Sequence, residues 1–122
     1  IIENTIYKIK KLNTNYKIFA AVGPCIGAKS YEVDLSFYRK FISKSKKNKI
    51  YFSKKNNYKK NFNLRKFVND KLIKLNIKVD HIGYDTFAQK SIFFSYRRSH
   101  KLAQKDYGRS ISVISLTKFS QN

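Results

Sequence analysis

Lys17-Ile18-Phe19-Ala20-Ala21-Val22-Gly23-Pro24 is a short apolar run closed by a strong turn signal, the pattern of a buried strand. Ahead of it, Ile2, Ile6, Ile9 and Leu12 recur three and four residues apart and trace one face of a helix. Neither an initiator Met nor a capping residue precedes that helix, so it is predicted to be under way at residue 1 and the chain reads as a fragment. Downstream, Asp34 is placed to cap a second helix with Leu35, Tyr38, Phe41 and Ile42 turned inward. Residues 43–60 change to Lys, Asn and Ser around Ile50-Tyr51-Phe52, which predicts an exposed excursion with one edge strand and no domain boundary. Asn63 then caps a third helix carrying Leu64, Phe67, Val68, Leu72 and Leu75 at helical spacing. Residues 77–82 and 91–96 read as strands, and Ile111, Val113, Ile114 and Leu116 among serines read as a last one. Helices placed between strands predict an α/β fold, a layered mixed sheet with flanking helices, in one domain over residues 1–122 without internal repeats.

A chain of 122 residues, 42% hydrophobic and 16% aromatic, has enough apolar material for one packed core, which excludes a disordered chain. No apolar run approaches the roughly 20 residues that span a bilayer, and no leader pattern opens the sequence. The expectation is a soluble, cytoplasmic protein without a membrane partner. The single cysteine, Cys25, cannot form an internal disulfide, which fits a reducing compartment. The net charge of +20 has two readings. Clustered Lys and Arg supply the phosphate attraction of a basic RNA-binding module, which would bind RNA tightly and salt-sensitively. Against that, the abundant Lys, Asn, Ile, Tyr and Phe are all written by A- and T-rich codons, and surfaces tolerate added lysine freely. The composition favours the second reading, and nucleic acid is not the expected partner.

On this lysine background the five arginines stand out, and three of them, Arg97, Arg98 and Arg109, lie close together. A guanidinium grips a carboxylate or phosphate through a planar fork that an ammonium cannot copy. Structural bonds are the equal alternative for Arg97 and Arg98. A zinc site needs three or four converging His, Cys or carboxylate ligands, yet the chain offers only Cys25, His81 and His100 without paired spacing. Copper oxidation would need more histidines still, so copper is not expected. Residues 23–27, Gly-Pro-Cys-Ile-Gly, follow a strand and could bring backbone amides near an anion, although the Lys-Ser/Thr of a phosphate loop is absent. Cys25 reads first as a small thiol in a tight turn and His81 as structural. His100, behind the arginine pair, is a candidate substrate contact, and Asp85 in Tyr84-Asp85-Thr86 is placed to cap a turn.

Five motifs occur in a fixed order: Gly23-Pro24-Cys25-Ile26-Gly27, Ser30-Tyr31-Glu32-Val33, Tyr84-Asp85-Thr86-Phe87-Ala88, Phe93-Phe94-Ser95-Tyr96-Arg97-Arg98 and Asp106-Tyr107-Gly108-Arg109. In this the chain resembles the laccase-domain, YfiH-like family, whose members go under the names multicopper polyphenol oxidase, purine nucleoside phosphorylase and peptidoglycan editing factor. The resemblance implies a partial YfiH-like fold corresponding to the C-terminal half of a member. It implies zinc in the full-length protein, held by His, Cys and His of the half that this chain does not carry, so no metal ligand and no catalytic side chain is assigned here. Cys25 stands where relatives often have alanine and is not expected to be that ligand. Ala28, Asp34 and Asn63 depart from the usual pattern and read as structural.

The implied activity is phosphorolysis of purine nucleosides, with phosphate attacking the ribose C1′, together with adenosine deamination. Purine nucleoside and phosphate are the implied partners, along with the N-terminal half of the same domain, without which the fragment would be inactive. The substrate-binding residues implied are Arg97 or Arg98 for phosphate or ribose, Tyr96 and His100 lining the site, and the turn from Gly23 to Gly27 supplying backbone. An amidase editing peptidoglycan precursors is the alternative within the family.

Overall fold

The computed structural model of the chain describes residues 1–12, 15 and 17–115. Helix α1 (Ile2–Leu12) leads into strand β1 (Phe19–Val22), as the apolar spacing predicts. Only the first half of the predicted helix face is covered. Ile6 is buried and Ile2 packs beside it, while Leu12 stands 87% exposed.

Strand β5 (Lys78–His81) pairs with β1 in parallel, Phe19 opposite Lys78 through Val22 opposite His81. Beyond Gly23 the pairing resumes as a single bridge between Cys25 and Asp85, with the Thr86 amide on the Cys25 carbonyl at 3.1 Å. That bridge carries the glycine-proline turn onto residues 85–88. Helix α3 (Leu64–Lys74) covers the parallel pair, starting where the Asn63 side chain accepts from the Lys66 amide at 3.0 Å. It ends at Asn76, whose φ of 58° lets the Ile77 amide reach back to the Leu72 carbonyl at 3.1 Å. Leu72 and Ile77, so joined, form the first core with Ile6.

The second core lies on a three-stranded antiparallel sheet ordered β2-β4-β3, from β2 (Glu32–Asp34), β4 (Lys59–Phe62) and β3 (Phe52–Lys54). Asp34 caps helix α2 (Leu35–Lys44) as predicted, its carboxylate accepting from the Phe37 amide at 2.7 Å. Phe62, 1% exposed, is the centre of this core. The rings of Phe52, Phe41, Phe37 and Phe67 surround it with centroids 4.9, 5.0, 5.4 and 5.8 Å away. Edge-to-face and tilted contacts of this kind fill space without large voids.

The α/β class stands, with the strands divided between a parallel pair and an antiparallel trio. Three local expectations change. Residues 43–60 are mostly exposed and supply the edge strand β3, but not all of them face solvent: a 3₁₀ turn (Lys46–Tyr51) buries Tyr51, and Phe52 enters the aromatic core. Residues 91–96 do not form a strand. Ser95 instead caps a short helix α4 (Tyr96–Lys101), accepting from the Arg98 amide at 3.3 Å. Residues 111–115 run without regular structure and are exposed, and Leu116 lies outside the described residues. No helix among the described residues is long and apolar enough to cross a membrane.

Candidate functional site

Asp85 organises the region where the motifs meet. Its carboxylate takes the Ser30 hydroxyl at 2.6 Å and the Phe87 amide at 2.9 Å, joining two turns 55 residues apart in sequence. Burial by itself would raise the Asp85 pKa, but hydrogen bonds from Ser30 and from the amides of Gly27, Phe87 and Ala88 outweigh it and hold the carboxyl below its ordinary 3.8. Gly27 is a glycine because this carboxylate lies against it: a Cβ there would come within 2.7 Å of the Asp85 Cγ.

Arg98 holds the neighbouring loop from inside. Its Nη1 donates to the Thr86 and Phe87 carbonyls, both at 2.8 Å, and its Nη2 donates to the Phe93 carbonyl. A planar fork addressing three carbonyls at once explains an arginine on a lysine-biased chain. Arg97 turns the other way. Its Nη1 donates to the Glu32 carbonyl at 3.0 Å and its guanidinium sits 5.3 Å from the centre of the Tyr31 ring. Lys101 adds an ion pair to the Glu32 carboxylate at 3.8 Å, so α4 is fastened to the edge of the antiparallel sheet.

Between the Pro24 turn and residues 107–112 opens a cavity of about 450 Å³, lined by Pro24, Thr86, Phe93, Phe94, Tyr96, Tyr107, Gly108, Arg109, Ser110, Ile111 and Ser112. Tyr96 and Tyr107 meet edge to face with centroids 5.0 Å apart, and the Arg109 guanidinium lies 4.7 Å from the centre of the Tyr107 ring. A larger groove of about 760 Å³ between α1, α2 and α3 contains none of the candidate substrate-binding residues.

The six candidate residues therefore separate into two layers. Tyr96 lines the cavity, and Gly23 adjoins it, its α-carbon side facing the Ser112 hydroxyl. His100 packs behind Tyr96 with ring centroids 6.1 Å apart. Arg98 holds Thr86 and Phe93 from behind, Gly27 lies against the Asp85 carboxylate, and Arg97 faces Tyr31. Phe93, Phe94 and Tyr107 are cavity residues that side-chain chemistry alone did not single out, and Arg109, noted in the sequence beside the arginine pair but not assigned to substrate, lines the cavity with them. The signal for them was the clustering of aromatics and arginine between residues 93 and 109.

Among the described residues, no three His, Cys, Asp or Glu side chains converge where a metal ion would sit. The described residues alone therefore offer no donor set for the zinc that the resemblance assigns to the other half of the domain. Cys25 is a free, partly exposed thiol, and His81 lies at the end of β5.

Comparison with known proteins agrees with this arrangement of motifs. Residues 1–117 match the family described as multi-copper polyphenol oxidoreductase laccase. A purine nucleoside phosphorylase of Rickettsia conorii is 36% identical over 115 residues, a match covering 91% of this chain and 46% of that protein. A purine nucleoside phosphorylase of Rickettsia prowazekii matches with the same identity and coverage. The chain thus spans less than half the length of these curated relatives. With residues 1–117 matched, the chain belongs to the multi-copper polyphenol oxidoreductase laccase family.

Proposed function

We propose that this chain supplies the substrate side of a purine nucleoside phosphorylase. The observation that carries the reading is the aromatic cavity of about 450 Å³ between the Pro24 turn and Arg109, in a chain whose relatives bear that name. Flat aromatic walls suit a planar purine by stacking, and hydroxyls from Thr86, Ser110 and Ser112 suit a ribose. In the reaction, a phosphate oxygen forms a bond to the ribose C1′ as the bond from C1′ to the base nitrogen breaks. The base departs with a proton and ribose 1-phosphate remains. In this scheme Tyr96 and the turn at Gly23 face the substrate. His100, Arg97, Arg98 and Gly27 hold that surface in place.

Zinc, and adenosine deamination with it, belongs in this proposal to the N-terminal half of the full-length domain. Exposed apolar residues on α1 and β1 support that reading. Parallel strands are ordinarily covered on both faces, yet Phe19 on β1 is 61% exposed, and Leu12 at the end of α1 is 87% exposed. Cytoplasmic location is part of the same reading, since Cys25 is unpaired.

Product analysis tests the proposal. The full-length protein carrying this sequence should convert inosine and phosphate to hypoxanthine and ribose 1-phosphate in equal amounts, and do nothing to inosine without phosphate. Release of peptide from a muropeptide precursor, with inosine untouched, would replace the phosphorylase by the amidase.

A further inference from the structure

Resting on the phosphorylase reading, we propose that Arg109 is the oxyanion-binding arginine of this cavity, and that its ligand is a phosphate group. The five arginines of the chain are not equivalent in what they already hold. Arg98 commits both ends of its fork to backbone carbonyls, and Arg65 donates to the carbonyls of Gly83 and Tyr84. Arg97 donates to Glu32 and leans on Tyr31, away from the cavity. Arg39 is exposed on α2 and does not line the cavity.

Arg109 differs from all of these. It lines the cavity, and among the described residues it forms neither an ion pair nor a hydrogen bond. Its guanidinium rests on the Tyr107 ring at 4.7 Å, and that ring is braced by Tyr96 at 5.0 Å. Stacking of this kind restrains the side chain without using any of its N–H groups, so the donor fork is oriented while its hydrogen-bonding capacity stays available. A ligand that answers five in-plane donors beside the hydroxyls of Ser110 and Ser112 is a tetrahedral oxyanion, because each of its oxygens accepts. Gly108 keeps the approach open: a Cβ there would come within 2.6 Å of the Phe94 Cγ and push that ring out of place.

The phosphate has two sources, free orthophosphate or the phosphate of a nucleotide, and calorimetric titration of the full-length protein carrying this sequence distinguishes them. Orthophosphate, adenosine and adenosine 5′-monophosphate are titrated separately into the wild type, R109A, R109K and R39A at an ionic strength of about 150 mM, where diffuse attraction to the lysine surface is screened. R109A should weaken orthophosphate binding about tenfold or more, the loss of one charge-assisted pair, and R109K should recover only part of it. R39A should bind orthophosphate like the wild type, and adenosine should bind R109A normally. Equal weakening of orthophosphate and the nucleotide assigns the same subsite to both. Weakening of the nucleotide alone makes its phosphate the ligand. Orthophosphate and nucleotide binding unchanged in R109A, absent in the wild type, or weakened equally in R39A overturns the inference. Adenosine binding by the wild type separates the two levels: its absence sinks the phosphorylase reading, whereas its presence with an indifferent Arg109 sinks only this inference.

Discussion

Gly27 and Asp85 show how a side chain sets the identity of a residue 58 positions away. The Asp85 carboxylate occupies the space where a methyl group would stand. Gly27→Ala should therefore lower unfolding free energy by about 1–3 kcal/mol, the usual cost of overpacking, measured by urea denaturation. Asp85 also makes a pH prediction. Its carboxyl is held below 3.8 in the folded chain, so the stability it contributes is present above the unfolded value and is lost as pH falls through the folded one. Asp85→Asn should be less stable than the wild type at pH 7, and the gap should narrow as denaturation is repeated at successively lower pH below about 4. A gap that stays constant with pH would show that the carboxylate charge is not what matters. The turn-capping role of Asp85 was legible in sequence because Phe87 lies two residues away. Its bond to Ser30 was not, because nothing local marks a partner 55 residues distant.

Capping signals predicted helices well, and alternation predicted strands less well. Asp34 and Asn63 cap α2 and α3 where the sequence placed them. The run from Ser91 to Tyr96 reads as a strand for its apolar residues, but Ser95 satisfies the Arg98 amide and Ala103, at φ 51°, closes the helix after one and a half turns. Local hydrogen bonding thus outcompeted a short apolar run that had no neighbouring strand to pair with. Ser95→Ala should cost about 1 kcal/mol of stability, read by the same denaturation. Tyr51 and Phe52 were hidden by their surroundings. Lysine and asparagine on either side suggested solvent, while the two rings themselves reach the aromatic core. Phe62→Ala, at the centre of that core, should cost about 3–5 kcal/mol, and a smaller loss would mean that the surrounding rings collapse into the gap.

For the whole molecule, the motifs announced which segments meet and the fold showed what they build. Residues 23–27, 84–88, 93–98 and 106–109 converge because β1 and β5 run parallel and the Cys25 to Asp85 bridge extends their pairing past the turn. The arginine pair drew attention in sequence for its chemistry. In the fold Arg98 is joined to the loop that forms one wall, and the cavity itself presents Arg109. No pattern in the sequence separates an arginine that holds backbone from one that faces a cavity, since the difference lies in long-range geometry. The net charge of +20 gives a second molecular expectation. Binding of single-stranded RNA that comes from dispersed lysines should fall steeply with salt and be largely lost by about 150 mM in a filter-binding assay. The central claim, that the cavity between the Pro24 turn and Arg109 receives a purine nucleoside, is tested most directly by titrating the isotope-labelled full-length protein carrying this sequence with inosine and following its resonances. The account predicts saturable shifts concentrated on Thr86, Phe93, Phe94, Tyr96 and Tyr107. Shifts absent at saturating inosine, or confined to the groove between α1, α2 and α3, would contradict it.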